Sequence, residues 1–207
     1  NVTQFKIGEE VYGNASSGSL QEYTVVNHND IGHKPSNLSF KESAALGLAG
    51  CTSLQSLLYF GDIRGKKVLI IAASGGCGSL GVQIAKYYDA KVYGVCSSRN
   101  SEYVKSIGAD VVVDYTKPDY FENLKNEQFD LIYDTVSSPA DEDQEPKFRP
   151  LLKEGGKYVA INGKPVDFLR GILKLDRKDY RLHLLKWNTE DLEKMSKIAE
   201  EGKLIPK

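Results

Sequence analysis

Long apolar runs, paired cysteines and a surplus of either charge are all missing from this chain of 207 residues. No stretch approaches the roughly 20 apolar residues that cross a bilayer, so no transmembrane segment is expected. The start, Asn1-Val-Thr-Gln-Phe5, has neither the basic flank nor the apolar stretch of a signal peptide. The three cysteines, Cys51, Cys77 and Cys96, show no C-x-x-C spacing. That argues against a disulfide framework and for a reducing compartment. Sequons at Asn1, Asn14 and Asn37 carry no weight without a secretory signal. The formal charge is −1 with lysines and arginines scattered, which leaves no track for a nucleic acid and no patch for a membrane surface. His28, His33 and His183 stand apart, each reading as a surface or loop residue rather than a metal ligand. What remains is an ordinary globular composition, 41% apolar and 27% charged, long enough to bury one full core and part of a second.

The most informative stretch is Val68-Leu-Ile-Ile-Ala-Ala-Ser-Gly-Gly-Cys-Gly-Ser-Leu-Gly-Val-Gln-Ile-Ala-Lys86. Its unbroken aliphatic start predicts a parallel strand covered on both faces. Ala73-Ser74-Gly75-Gly76-Cys77-Gly78 follows as a turn of the G-x-G-x-x-G kind, with alanine in the first place, and opens a helix. Gly75 would let backbone approach a pyrophosphate, and Gly78 would let helix and strand pack closely. Unpaired N–H groups at the helix start would face the phosphates, where the helix dipole favours negative charge. A glycine triplet alone is weak, since a glycine-rich hairpin produces one by accident. Here a second strand, Lys91-Val-Tyr-Gly-Val-Cys96, lies at the spacing that a dinucleotide unit requires.

Regular alternation continues along the chain. Ser39-Phe-Lys-Glu42 is a capping box opening a helix from Ala44 to Tyr59. Strands are expected at 68–73, 91–96, 111–115, 129–136, 157–161 and 181–187. Helices are expected at 79–88, 101–107, 120–126, 144–153 and 189–201, the last with Thr189 as N-cap. This is α/β order with right-handed crossovers, a doubly wound parallel Rossmann sheet with its crevice at the strand C-termini. Before it, Val11-Tyr-Gly13 and Gly18-Ser-Leu-Gln-Glu-Tyr-Thr-Val-Val26 read as short strands, too few to close a sheet. The chain is therefore expected to enter partway through a β domain.

An NAD-binding unit carries an acid at the end of its second strand, about twenty residues beyond the glycines. Here that strand ends Cys96-Ser97-Ser98-Arg99-Asn100. Two hydroxyls and a guanidinium suit the 2′-phosphate of NADPH, which a carboxylate would repel. The plainer reading, in which Ser97 and Ser98 cap the next helix and Arg99 is a solvated charge, is compatible with the first. Tyr115 either lines the adenosine side or is a half-buried core residue. Cys77 would react with electrophiles if the helix N-terminus lowered its pKa, and otherwise only packs.

Taken together, Phe5-Lys-Ile-Gly-Glu-Glu-Val-Tyr-Gly13, Gly18-Ser-Leu-Gln-Glu-Tyr23, Ala44-Ala-Leu-Gly-Leu-Ala-Gly-Cys-Thr52, the glycine turn, Leu131-Ile-Tyr-Asp-Thr-Val136 and Tyr158-Val-Ala-Ile-Asn-Gly163 resemble the medium-chain dehydrogenase/reductase superfamily. The chain is most similar to its zinc-independent quinone oxidoreductase-like branch, which includes chloroplast-envelope quinone oxidoreductase homologues and reticulon-interacting mitochondrial proteins. The resemblance implies a GroES-like β barrel, of which residues 1–40 would be part. It also implies a Rossmann domain over 41–187 and a helix over 188–207 leading back towards the barrel. Carried over by position, Thr52 would lie beside the nicotinamide, and Ser74, Gly75, Gly76, Cys77 and Gly78 would form the pyrophosphate turn. Ser97, Ser98, Arg99 and Tyr115 would face the adenosine phosphate, and Val136 and Asn162 the nicotinamide. Departures are Gly47 in place of proline, Cys51 in place of an apolar residue, and Ser137-Ser138 in place of glycines. Zinc-dependent relatives place a cysteine four residues before the threonine, where this chain has Leu48, and a four-cysteine lobe near Tyr12–Gly18, where it has no thiol. No metal is expected.

Two functions of different class follow. One is an enzyme in which NADPH reduces a quinone or an α,β-unsaturated carbonyl, and donors of the protein stabilise the developing enolate or quinol charge. No catalytic acid is assigned within the chain. The other is a non-catalytic NADPH-binding subunit of a larger assembly, for which Ser137-Ser138 and the acidic loop Pro139–Pro146 give slight support. A zinc alcohol dehydrogenase with ligands elsewhere is a weaker third. The resemblance further implies a homodimer pairing through the strand at 181–187. The cytoplasm is the first expectation for compartment, with mitochondrion or plastid left open.

Overall fold

The computed structural model describes residues 2–16, 18–136, 144–163 and 178–207. The chain forms two compact units, residues 1–51 with 185–207 and residues 52–184. In chain order the elements are β1 (Val11–Gly13), β2 (Ile31–His33), α1 (Phe40–Leu58), β3 (Lys67–Ile71), α2 (Gly76–Tyr87), β4 (Lys91–Cys96), α3 (Ser101–Ser106) and β5 (Val111–Asp114). There follow α4 (Glu122–Lys125), β6 (Phe129–Asp134), α5 (Glu145–Phe148), β7 (Leu152–Ala160), β8 (Tyr180–Leu182) and α6 (Thr189–Glu200).

The larger unit is a six-stranded sheet in the order β5-β4-β3-β6-β7-β8. Every pairing in it is parallel. With β3 taken as the first strand this is the doubly wound order 3-2-1-4-5-6, and the winding reverses between β3 and β6. The aliphatic run that predicted a doubly covered strand behaves as one: Val68, Leu69 and Ile70 are fully buried. One face of the sheet, with Leu69, Ile71, Tyr93, Val95, Ile132 and Tyr158, packs with Phe129 and Phe148 into a single apolar cluster. Each such side chain contributes about 1.5–3 kcal/mol on burial. The expected helix at 144–153 is shorter than its sequence pattern: α5 gives way to a 3₁₀ turn over Arg149–Leu151, and β7 already begins at Leu152. The expected strand at 181–187 is likewise cut to Tyr180–Leu182.

In the smaller unit β1 and β2 pair antiparallel and α6 lies against β2. A Cβ on Gly32 would stand 2.7 Å from the Cβ of Leu192, so the missing side chain is what lets helix and strand meet. Ser196 Oγ donates to the His33 carbonyl at 2.7 Å, Thr189 Oγ1 to that of Ile31 at 2.8 Å, and Tyr12 Oη to that of Leu192 at 2.7 Å. α1 opens at the expected capping box, where Glu42 Oε2 accepts from the Ser39 N–H at 2.8 Å.

Three local expectations are corrected. The N-cap of α6 is Asn188, whose Oδ1 accepts from the Asp191 N–H at 2.8 Å; Thr189 is helical and bonds instead to the strand. The stretch 18–26 forms turns and irregular chain rather than a strand, with Leu20, Tyr23 and Val25 between 87% and 103% exposed. Alternating apolar residues make a strand only when a face is there to cover them. His183, expected as a surface or loop residue, lies in the irregular chain just beyond β8 but is buried there.

Candidate functional site

At the C-terminal end of β3 the backbone turns through Ala72, a non-glycine residue at φ 59°, and α2 begins two residues after Ser74. Gly75 is the N-cap, and no side chain among the described residues caps the helix. The first N–H groups of a helix have no partner within it, and Gly75 and Gly76 are exposed. The start of α2 is therefore an open set of amides at the positive end of a 12-residue helix. The glycines differ in role. A Cβ on Gly78 would lie 2.2 Å from the Ala72 carbonyl oxygen, so only glycine lets the helix sit on its own turn. A Cβ on Gly75 would meet only that same oxygen, at 3.4 Å, and otherwise enter open space. Gly75 is thus not needed by the fold at this point. A cradle that an added methyl group would fill fits a pyrophosphate.

Three side chains from three elements pin this turn. Thr135 Oγ1, just past β6, donates to the Ile71 carbonyl at 2.7 Å. Asn100 Nδ2 donates to Ser74 Oγ at 3.0 Å, and Ser53 Oγ of α1 donates to the Cys77 carbonyl at 2.8 Å. Burial pushes the Cys77 thiol up, against the lowering that electrophile chemistry would need.

The other expected residues gather at the same edge of the sheet. Ser97 is buried at the end of β4 and its Oγ accepts from Asn100 Nδ2 at 3.3 Å. Ser98 is exposed and donates to Asp114 Oδ2 at 2.5 Å. Arg99 is exposed, with no hydrogen bond or ion pair to any described residue. Tyr115, just past β5, is 52% exposed. Val136 follows β6, and its N–H donates to Asp134 Oδ1 at 3.0 Å, so it can offer a ligand only its carbonyl. Asp134 is held in turn by Tyr158 Oη at 2.7 Å. Asn162 follows β7 and is half-buried. Thr52 stands apart from the strand ends, buried on α1, one residue before the Ser53 that reaches the glycine turn. Ser137, Ser138 and residues 139–143 of the acidic loop lie outside the described residues.

Sequence reading missed Ser53, Asn100, Tyr133, Thr135 and Asp114. Asp114 is the least visible of them, because it reaches the end of β4 from the neighbouring strand, in register with Cys96. Ser98 and Thr116 bond to it and hold its carboxyl below the usual aspartate value.

A parallel sheet wound in this order, with an open helix start at its switch point, defines a dinucleotide-binding domain of Rossmann type. Residues 76–173 match the family model described as "Zinc-binding dehydrogenase". The chain is 36% identical to 2-methylene-furan-3-one reductase of Solanum lycopersicum, over 99% of this chain and 51% of that protein. It is 33% identical to the chloroplastic NADPH-dependent alkenal/one oxidoreductase of Arabidopsis thaliana, again over 99% of this chain and 51% of the relative. It thus spans about half the length of these curated relatives. The quinone oxidoreductase of Coxiella burnetii superposes with a TM-score of 0.82 at 29% identity, over 99% of this chain and 64% of that one. The chain thus matches a dehydrogenase family model over residues 76–173, and the proteins it is similar to are quinone and alkenal oxidoreductases. The parallel six-stranded sheet with its helices is of Rossmann type, as the likeness to that quinone oxidoreductase supports.

Proposed function

We propose that this chain is the nucleotide-binding part of a zinc-independent, NADPH-dependent oxidoreductase that reduces quinones or activated alkenes. One observation carries the reading: an uncapped helix start, pinned from three sides and opened by Gly75, at the switch point of a doubly wound sheet. The relatives named for alkenal and furanone reduction support the alkene class, and the Coxiella structure supports the quinone class.

The nicotinamide, when bound, supplies the hydride; the chain supplies place and charge. Gly76, Cys77 and Gly78 would hold the pyrophosphate by their amides, with Ser74 beneath them. Arg99, exposed and without a partner among the described residues, would meet the 2′-phosphate beside Ser97, Ser98 and Tyr115, and this favours NADPH over NADH. Thr52, the Val136 carbonyl and Asn162 would orient the nicotinamide. Where a zinc-binding cysteine would stand, this chain has Leu48, which cannot coordinate a metal. Among the described residues β8 pairs only with β7, so its other edge suits a homodimer contact. Stopped-flow loss of NADPH absorbance with a quinone and with an enone tests the activity. Turnover of neither class by a protein that binds NADPH would leave only the binding function.

A further inference from the structure

Beneath the glycine turn lies a buried polar chain that the function above does not use. Tyr133, on β6, is fully buried, and its Oη is 3.1 Å from Ser53 Oγ on α1. Ser53 Oγ in turn donates to the Cys77 carbonyl, in the first turn of α2, at 2.8 Å. With that proton committed to the carbonyl, Tyr133 is the donor to Ser53. Burial of the phenol pushes its pKa up and keeps it protonated, as a donor must be. The ring has its place because residue 81 is glycine: a Cβ there would come within 3.0 Å of Tyr133 Cε1.

We propose that Ser53, oriented by Tyr133, is a positioning residue that sets the span of the dinucleotide site. Its neighbour Thr52 belongs to the nicotinamide end, and its own hydroxyl holds the turn at the pyrophosphate end. One helical turn of α1 therefore links the two ends, and the Tyr133–Ser53 bond behind it is buried, where a loss is not made good by water. An uncharged ribose or adenine contact at the far end of the sheet does not depend on this tie. The inference rests on the reading of the glycine turn as a dinucleotide site.

The test compares NADPH with adenosine 2′-monophosphate, which lacks both pyrophosphate and nicotinamide, on wild type, Ser53→Ala, Tyr133→Phe and the double variant. Loss of Ser53 should weaken NADPH about fivefold, the ratio corresponding to one ordinary net hydrogen bond. Adenosine 2′-monophosphate should stay within about twofold, and the double variant should lose little more than Ser53→Ala alone. Should Ser53→Ala fail to fold, Tyr133→Phe is read in the same way, with a smaller expected loss. A lowered Tm with both affinities unchanged, or both ligands weakened in parallel, would overturn the proposal while leaving the dinucleotide site standing. A wild-type protein that binds the monophosphate but not NADPH would remove the site itself.

Discussion

A methyl group added at Gly75 and one added at Gly78 should have opposite consequences, although the positions are three residues apart on one turn. At Gly78 the new Cβ would lie 2.2 Å from the Ala72 oxygen and 2.8 Å from the Ala73 Cα. Both are backbone atoms that cannot rotate away. Overpacking of this kind costs about 1–3 kcal/mol, and more where backbone must move. At about 2–4 °C per kcal/mol for a chain of this size, Gly78→Ala should lose on the order of 5–10 °C in Tm or fail to fold. At Gly75 the nearest atom would be 3.4 Å away and φ is −77°, open to any residue. Alanine is a poorer N-cap than glycine but has less freedom to lose on folding, so the net change is within about 1 kcal/mol. The same methyl group occupies the space assigned to the pyrophosphate. Losing a charge-assisted hydrogen bond there, at about 1.5–3 kcal/mol, should raise the Kd for NADPH about 10- to 100-fold. Circular-dichroism melts and titration of NADPH fluorescence measure both. A Gly75→Ala protein that melts and binds NADPH like wild type would show that no pyrophosphate sits at this turn.

Arg99→Ala should raise the Kd for NADPH by about tenfold and leave NADH within about twofold, as measured by calorimetry. Equal losses for both nucleotides would take Arg99 away from the 2′-phosphate. In the smaller unit, Glu193 accepts from the His33 ring at 2.7 Å and, with Glu9 on the other nitrogen, holds the histidine pKa above its usual value. Stability from that pairing is complete below the unfolded pKa, about 6.5, and is lost as pH rises through the higher folded value. Melting followed at Trp187, the single tryptophan and part of the same unit, should therefore fall as pH rises above about 6.5. Glu193→Gln should flatten that slope, and a Tm that climbs as pH rises would contradict it.

How far the fold could be read along the chain depended on whether neighbours in space were also neighbours in sequence. β4 spans Lys91–Cys96 as expected, because every residue after Lys91 is uncharged and buried. The capping box of α1 needs only Ser39 and Glu42, and it forms. Where an element's limits are set by something distant, local pattern fell short. The stretch 18–26 alternates well but stays exposed, and the apolar residues from 183 onward extend no strand once β8 runs out of partner at Leu182. The site divides in the same way. Its glycines are legible because close approach of backbone to backbone is a local demand. Ser53, Asn100 and Thr135 act across the sheet, and nothing in their own sequence surroundings marks them.

Asp114 shows what that blindness means for cofactor choice. Along the chain, no acid follows β4; across the sheet, one does, because Asp114 is in register with Cys96. Its Oδ2 accepts from Ser98 Oγ at 2.5 Å, and its Oδ1 from Thr116 Oγ1 at 2.7 Å. A standing negative charge thus sits beside the groups assigned to the 2′-phosphate, and it acts on the phosphate in two ways. It repels the phosphate weakly, through water and ordinary salt, by roughly twofold in affinity. It also takes the proton of Ser98, which therefore cannot donate to a phosphate while the pair is intact. Both effects weaken NADPH, so Asp114→Asn should tighten it about two- to threefold and leave NADH unchanged. If the variant instead binds NADPH more weakly, the carboxylate is orienting Ser98 for the phosphate rather than withholding it. The hydroxyl then belongs with Arg99 in the pocket, and repulsion is the smaller of the two effects.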